Sequence, residues 1–256
     1  MKSLFSAFGF LTIFPIPAGW CGDEKSLARS VAWFPVVGLL MGLIWALAGW
    51  LLGAVFAPAI SAAILLLLLQ MMSGGLHVDG LADTADGFLS SRKPERMLEI
   101  MRDSRSGPMG VAAIVFLLIA QYAALVALPE GYRLGALLMA PIAGRCAIII
   151  AMTVLRYARP TGIVSIFAPR SKWFLTYAVV ILLGAAYALL RVPGLCAASG
   201  TLLGLALFCR ICKNKIGGFT GDTLGAGCIG AETFFLLLMN LHRPVLALPN
   251  LPGLMH

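Results

Sequence analysis

Acidic side chains are scarce in this sequence, with 11 Asp and Glu against 19 Lys and Arg in 256 residues. Charge of either sign is scarce as well: 12% of residues, where a soluble globular domain carries about a quarter. That shortage excludes an ordinary soluble domain. Other signals are missing too. Cys209 and Cys212 form a C-x-x-C pair, but no second pair or nearby histidine completes a zinc site, so buried thiols are the expectation. The N-terminal "MKSLFSAFGFLTIFPIPAGWC" has an apolar stretch but no small-residue cleavage site. Trp20 precedes Cys21, and Pro15 and Pro17 interrupt the run, so the segment is expected to be retained. No linker divides residues 1–256, which are read as one domain.

What is present is hydrophobic: 60% of the residues, with a mean hydropathy of +0.94. Apolar stretches of about 18 or more residues are long enough to cross a bilayer as helices. The predicted spans are 33–52, 55–72, 108–128, 134–155, 173–191, 195–211 and 224–241. The expected fold is all-α, a polytopic membrane bundle of about seven transmembrane helices. Residues 4–17 would add a re-entrant or interfacial piece. The net charge is +8, and the basic residues gather at 73–107, 156–172 and 210–223. The connections near 53–54, 129–133 and 192–194 are short and nearly uncharged. The positive-inside rule places the basic loops and the N-terminus in the cytoplasm and the C-terminus outside. Topology thus accounts for the basic pI, and no nucleic-acid partner is expected.

Against this background, "GGLHVDGLADTADGF" (74–88) places three of the few acids together. Asp79, Asp83 and Asp86 are spaced i, i+4, i+7, and on a helix they fall within about 60° of one another. Three carboxylates on one stripe repel unless a cation sits among them, and an all-oxygen set suits Mg²⁺ or Mn²⁺ better than zinc. A plain solvated face would mix in lysine and serine, whereas this stripe alternates Asp with Gly, Ala and Leu. Gly80 and Gly87 leave room for a phosphate near the backbone. His77, two residues before Asp79, is either a base or substrate contact or a structural histidine. It would share the site only if the helix began near Asp79. Downstream, Arg102, Asp103, Ser104 and Arg105 offer arginines for bidentate phosphate contact, or simply a positive-inside loop.

"GGFTGDTLGAGCIGAE" (217–232) is the second acidic motif. Gly221, Asp222 and Thr223 stand where a glycine-rich lead enters the last helix, a place suited to an anion. Asp222 is read as a further metal or phosphate residue, or as the helix cap. Glu232 lies ten residues on, about 15 Å along a helix, too far to share its metal. Arg145 is costly at mid-bilayer and needs either an interior carboxylate such as Glu232 or a substrate phosphate. Arg156 and Arg159 mark a helix end and are read as topological.

"FLTIFPIP" at 10–17, "GGLHVDGLADTADGF", "MRDSRSGPMG", "RYARPTG" and "GGFTGDTLGA" together resemble the adenosylcobinamide-GDP ribazoletransferase (cobalamin synthase) family across nearly the whole chain. The chain departs from the family pattern at Gly107–Gly110, where Pro108 and Met109 replace a hydroxyl and an aromatic residue. The resemblance implies Mg²⁺-dependent joining of α-ribazole, or its 5′-phosphate, to adenosylcobinamide-GDP with release of GMP, in the bacterial inner membrane with the site facing the cytoplasm. It implies Asp79, Asp83 and Asp86 as metal ligands, with Asp222 a candidate partner; a homo-oligomer is compatible with it. The residues alone support metal-assisted phosphoryl transfer at a membrane surface. A CDP-alcohol phosphotransferase fits less well, because Asp79-Gly80 is not followed by Ala-Arg. A cation transporter would distribute its acids across several spans.

Overall fold

The computed structural model describes residues 1–103, 105–159, 162, 164–167 and 171–242. Its helices, in order, are α1 (Lys2–Leu11), α2 (Glu24–Ser30), α3 (Phe34–Val55), α4 (Pro58–Met72), α5 (Leu76–Leu89), α6 (Pro94–Ile100), α7 (Pro108–Ala127), α8 (Arg133–Val154), α9 (Val164–Phe167), α10 (Trp173–Ile216) and α11 (Gly221–Met239). Prolines open α4, α6 and α7 near their first position, where the missing N–H costs nothing. Among the described residues five helices are long and apolar enough to cross a membrane, or six if α4 and α5 count as one broken span. This is the all-α membrane bundle the hydropathy predicts.

Centrally placed, α8 packs against α3, α10 and α11, and it is buried almost throughout from Ala136 to Met152. Small residues let the backbones meet. A Cβ on Gly42 would stand 2.3 Å from the Leu138 carbonyl oxygen, and one on Gly38 would stand 2.7 Å from that of Pro141. In lipid, where apolar side chains gain nothing by leaving the solvent, such close contact is a main source of helix association. The lipid-facing sides stay apolar, with Phe116, Leu203 and Leu207 among the exposed residues.

Two departures from the predicted boundaries have local causes. Although α10 runs 44 residues, Arg191 adopts φ 56°, ψ −142° and Pro193 follows. A Cβ on Gly194 would lie 2.4 Å from the Ala186 carbonyl oxygen, a distance that only a chain folded back on itself allows. Residues 173–190 and 192–216 are therefore the two arms of a hairpin, as the predicted spans 173–191 and 195–211 required. The predicted loop 73–107 contains two helices. Gly74 and Gly75, both at positive φ, turn the chain by 87° between α4 and α5, so that α5 runs across the direction of α4. The N-terminal segment is helical but only ten residues long, about 15 Å, too short to cross. It docks at the α4–α5 bend, where the Ile13 N–H donates to the Met72 carbonyl at 3.0 Å.

Candidate active site

The three basic segments predicted to share one side do converge. Asp79 and Arg102 from the first, Tyr157 and Arg159 from the second, and Gly221 and Asp222 from the third line one cavity of about 390 Å³. Two devices hold them there. The first is a backbone crossing of α5 on α11: a Cβ on Gly80 would sit 2.7 Å from the Asp222 carbonyl oxygen, so only glycine lets the aspartate helix approach this closely. The second is a short parallel bridge. Phe219 N–H donates to Arg156 and Ala158 N–H donates to Phe219, each at 2.8 Å. This bridge sets Arg159 over the start of α11, where its Nη2 donates to Asp222 Oδ2 at 2.7 Å.

The acids do not act alike. Asp79 lines the cavity beside Asp222. Asp83, half-buried next to it, is pushed up to about 6, by burial first and then by the charges of Asp79, Asp222 and Asp86. Asp86 differs from the expectation of three equivalent ligands, because its carboxylate caps α7. Gly107 N–H donates to Oδ2 at 2.6 Å and Gly110 N–H to Oδ1 at 2.8 Å. A carboxylate among the free N–H groups of a helix N-terminus satisfies both their hydrogen bonds and the helix dipole. A Cβ on Gly107 or Gly110 would come 2.5 Å from this carboxylate, which accounts for both glycines of the departing motif. Among the described residues no three acids, histidines or cysteines form a ready metal-binding group. A cluster of converging carboxylates that raises Asp83 still matches a hard cation. Mg²⁺ commonly takes one or two carboxylates and completes its shell with phosphate and water.

Other predicted residues divide in the same way. His77 is buried, and its Nε2 has no hydrogen-bond partner. The helix begins at Leu76, not at Asp79, yet His77 still lines the cavity, because the cavity wraps the whole first turn of α5. Arg102 lines it too, while Arg105 turns away. Arg105 donates through Nε and Nη2 to Asp103 at 3.0 and 2.8 Å, holding that exposed carboxyl down at about 2. These two residues border a separate polar cavity with Asp86. Ser104 lies outside the described residues.

Gly221 lines the main cavity, but Thr223 does not. Its hydroxyl is taken up in a reciprocal cap, accepting from Thr220 N–H at 2.8 Å while its own N–H donates to Thr220 Oγ1 at 3.2 Å. The cap is thus Thr220 rather than Asp222. Arg145 is likewise corrected as a phosphate residue. It is fully buried, Nη1 pairs with Glu232, and Nη2 lies 3.0 Å from Met41 Sδ. The overlooked site residue is Arg159, read as topological; its signal was its place in "RYARPTG", one of the segments that carry the family resemblance. Cys209 and Cys212 are buried free thiols.

A multi-pass helical membrane protein with carboxylates and arginines gathered in one cavity at one end of its bundle is the class that fold and site define. The family model for cobalamin-5-phosphate synthase matches residues 3–240. Similar curated proteins are named adenosylcobinamide-GDP ribazoletransferase. That of Acetivibrio thermocellus is 36% identical over 254 residues, 95% of this chain and 99% of the relative. That of Desulforamulus reducens is 38% identical over 250 residues, covering 95% and 98%. That of Escherichia coli K12 is 36% identical over 250 residues, covering 93% and 100%. No solved structure matches the chain. The chain belongs to the cobalamin-5-phosphate synthase family.

Proposed function

We propose that the chain joins α-ribazole, or its 5′-phosphate, to adenosylcobinamide-GDP and releases GMP. The observation that carries this reading is the cavity in which Asp79, Asp222, Arg102 and Arg159 meet among glycines, at the end of the bundle where the basic segments converge. Family membership supports a transferase of late cobalamin synthesis, and the charged groups supply what transfer between phosphates requires. Arg102 is placed to hold diphosphate oxygens. Arg159 is tied to Asp222 in the free protein and would exchange that partner for phosphate when substrate enters. The ribazole hydroxyl attacks the phosphorus on the cobinamide side; a P–O bond forms there, the bond to GMP breaks, and GMP carries off the electron pair. Either Asp79 or His77 receives the hydroxyl proton, His77 Nε2 having no other partner.

Asp79 and Asp83 are the residues that would hold Mg²⁺, sharing it with the diphosphate. The ion, when bound, neutralises charge that builds on the leaving phosphate. The cavity faces the cytoplasm of the bacterial inner membrane in this reading, where both substrates would be made. The test follows GMP release from adenosylcobinamide-GDP and α-ribazole by the solubilised full chain during a Mg²⁺ titration. Asp79→Asn should reduce turnover by about 10²-fold or more, the scale of losing one electrostatic stabiliser of a transition state. Wild-type rates in that variant, with unchanged Mg²⁺ dependence, would remove Asp79 from the chemistry.

A further inference from the structure

Charge accounts for only part of the cavity. Its wall also contains Phe10, Leu11, Leu76, Ile148 and Val164, with Tyr157 beside them. A site for a diphosphate alone has no use for such a surface. Leu11 and Ile148 belong to the main hydrophobic core, and Phe10, Tyr157 and Val164 pack against it. Phe10 and Leu11 are brought there by α1, a ten-residue helix too short to cross the bilayer, so that the core opens into the cavity at this wall. Phe10 is only partly buried, and its ring stacks on Phe167 with centroids 4.4 Å apart and an interplanar angle of 27°. Phe34 stands 6.1 Å behind it at 20°. Phe34 and Phe167 are themselves almost fully buried, so the pair fixes the Phe10 ring from one side and leaves the rest of it for the cavity. Tyr157 is held in the same manner, edge-on to buried Phe219 with centroids 5.4 Å apart.

We infer that the apolar wall built on Phe10 and Tyr157 is the seat of the nucleoside's base, and that it selects a flat heteroaromatic ring carrying alkyl rather than hydrogen-bonding substituents. This rests on the transferase reading above and adds to it the residues that choose the acceptor. Guanine, the other base in the proposed reaction, presents donors and acceptors along its edges. Placing them against Phe10, Leu11, Ile148 and Val164 would leave those groups unpaired, which costs affinity. An alkylated benzimidazole has no such edge and gains by leaving water. The volume of about 390 Å³ accepts one nucleoside-sized group, so the macrocycle would remain outside the mouth. On this view "FLTIFPIP" has a function: it carries a specificity wall to a site whose chemistry lies elsewhere in the chain.

The experiment measures binding of α-ribazole and of its adenine counterpart to the detergent-solubilised full chain by calorimetry, and separately the KM of each substrate in GMP release. Phe10→Ala should weaken α-ribazole by about tenfold, the scale of one aromatic stack on a base. The KM for adenosylcobinamide-GDP should stay unchanged, and preference over the adenine riboside should shrink. Phe10→Leu, which keeps α1 packed on Phe34 and Phe167, should show the same loss of preference in smaller degree and guards against misfolding. A rise confined to the KM for adenosylcobinamide-GDP would give the wall to the guanine end and overturn the inference, as would unaltered base preference in both variants. Selective α-ribazole binding that depends on Phe10, in a chain that releases no GMP, would uphold the wall while removing the proposed reaction.

Discussion

Two arginine–carboxylate pairs lie in the same bundle, and comparing them separates structure from chemistry. Arg145–Glu232 joins α8 to α11 with side chains 1% and 2% exposed, closed in by Met41 and Cys228. Arg159–Asp222 joins a loop to the first turn of α11 with side chains 14% and 20% exposed, on the wall of a cavity. Each pair joins an arginine to a carboxylate, but only the second can change partners. A substrate phosphate can replace Asp222 on Arg159; nothing can reach Arg145. The first pair therefore acts as a lock between two membrane helices, while the second lies on the wall of the cavity where the proposed reaction would take place.

Breaking the lock should have the largest effect. In Arg145→Met the Glu232 carboxylate is left buried and unpaired, a loss of about 3–5 kcal/mol for such pairs. The variant should fail to accumulate as folded protein, seen as loss of a monodisperse peak in detergent. Replacing both residues, as Arg145→Met with Glu232→Leu, removes the unpaired charge as well as the pair. The double variant should recover folded protein and GMP release, since apolar replacement of a buried pair is often neutral. If the double variant folds but stays inactive, Arg145 and Glu232 serve the reaction and the contrast between the two pairs disappears.

The exposed pair should show the opposite pattern. Arg159→Met should lower GMP release by about 10²-fold, the scale of losing a charge-stabilising donor, with little change in Tm. Arg159→Lys tests geometry rather than charge and should recover only part of the rate, because the ammonium cannot hold two oxygens in one plane. A drop in Tm as large as that of Arg145→Met would show that Arg159 holds the fold, and would move it to the structural class.

How much of this was legible in the sequence follows from the range of the interactions. The spans could be read because hydropathy is local, and the hairpin within α10 because a short, nearly uncharged connection at 192–194 separates two apolar runs. The Asp79–Asp83–Asp86 stripe was legible for the same reason, since three residues on one helix share a face whatever surrounds them. Their different roles were not. Asp86 caps α7 because Gly107 and Gly110 arrive from 21 and 24 residues away. Arg159 meets Asp222 across 63 residues through a bridge of two hydrogen bonds. Spacing along one segment cannot reveal a partner that only the packing delivers. The Arg145–Glu232 pair, 87 residues apart, was within reach only because burying a charge in lipid demands an opposite one, and few are present.

The smallest effect on stability should come from Asp83, which stands between the two pairs in character: it neither locks helices nor lines the cavity, but it feels the charges that do. Its pKa in the fold is about 6, above the ordinary 3.8, so the fold holds this proton more tightly than the unfolded chain does. The stability linked to that proton is fully present below pH 3.8 and is lost as pH rises through 6. Asp83→Asn removes this dependence, so without divalent metal its Tm should exceed that of the wild type at pH 7.5 and approach it near pH 4. Partial exposure of the carboxylate keeps the difference small. On the proposed reading Mg²⁺ sharpens the test, because an ion held by Asp79 and Asp83 would favour the ionised form and would bind only the fold. Adding Mg²⁺ at pH 7.5 should raise the wild-type Tm and close the gap, while the variant responds less. Superimposable pH profiles for the two proteins, with equal responses to Mg²⁺, would mean that the neighbouring carboxylates do not crowd Asp83 and that no ion is shared there.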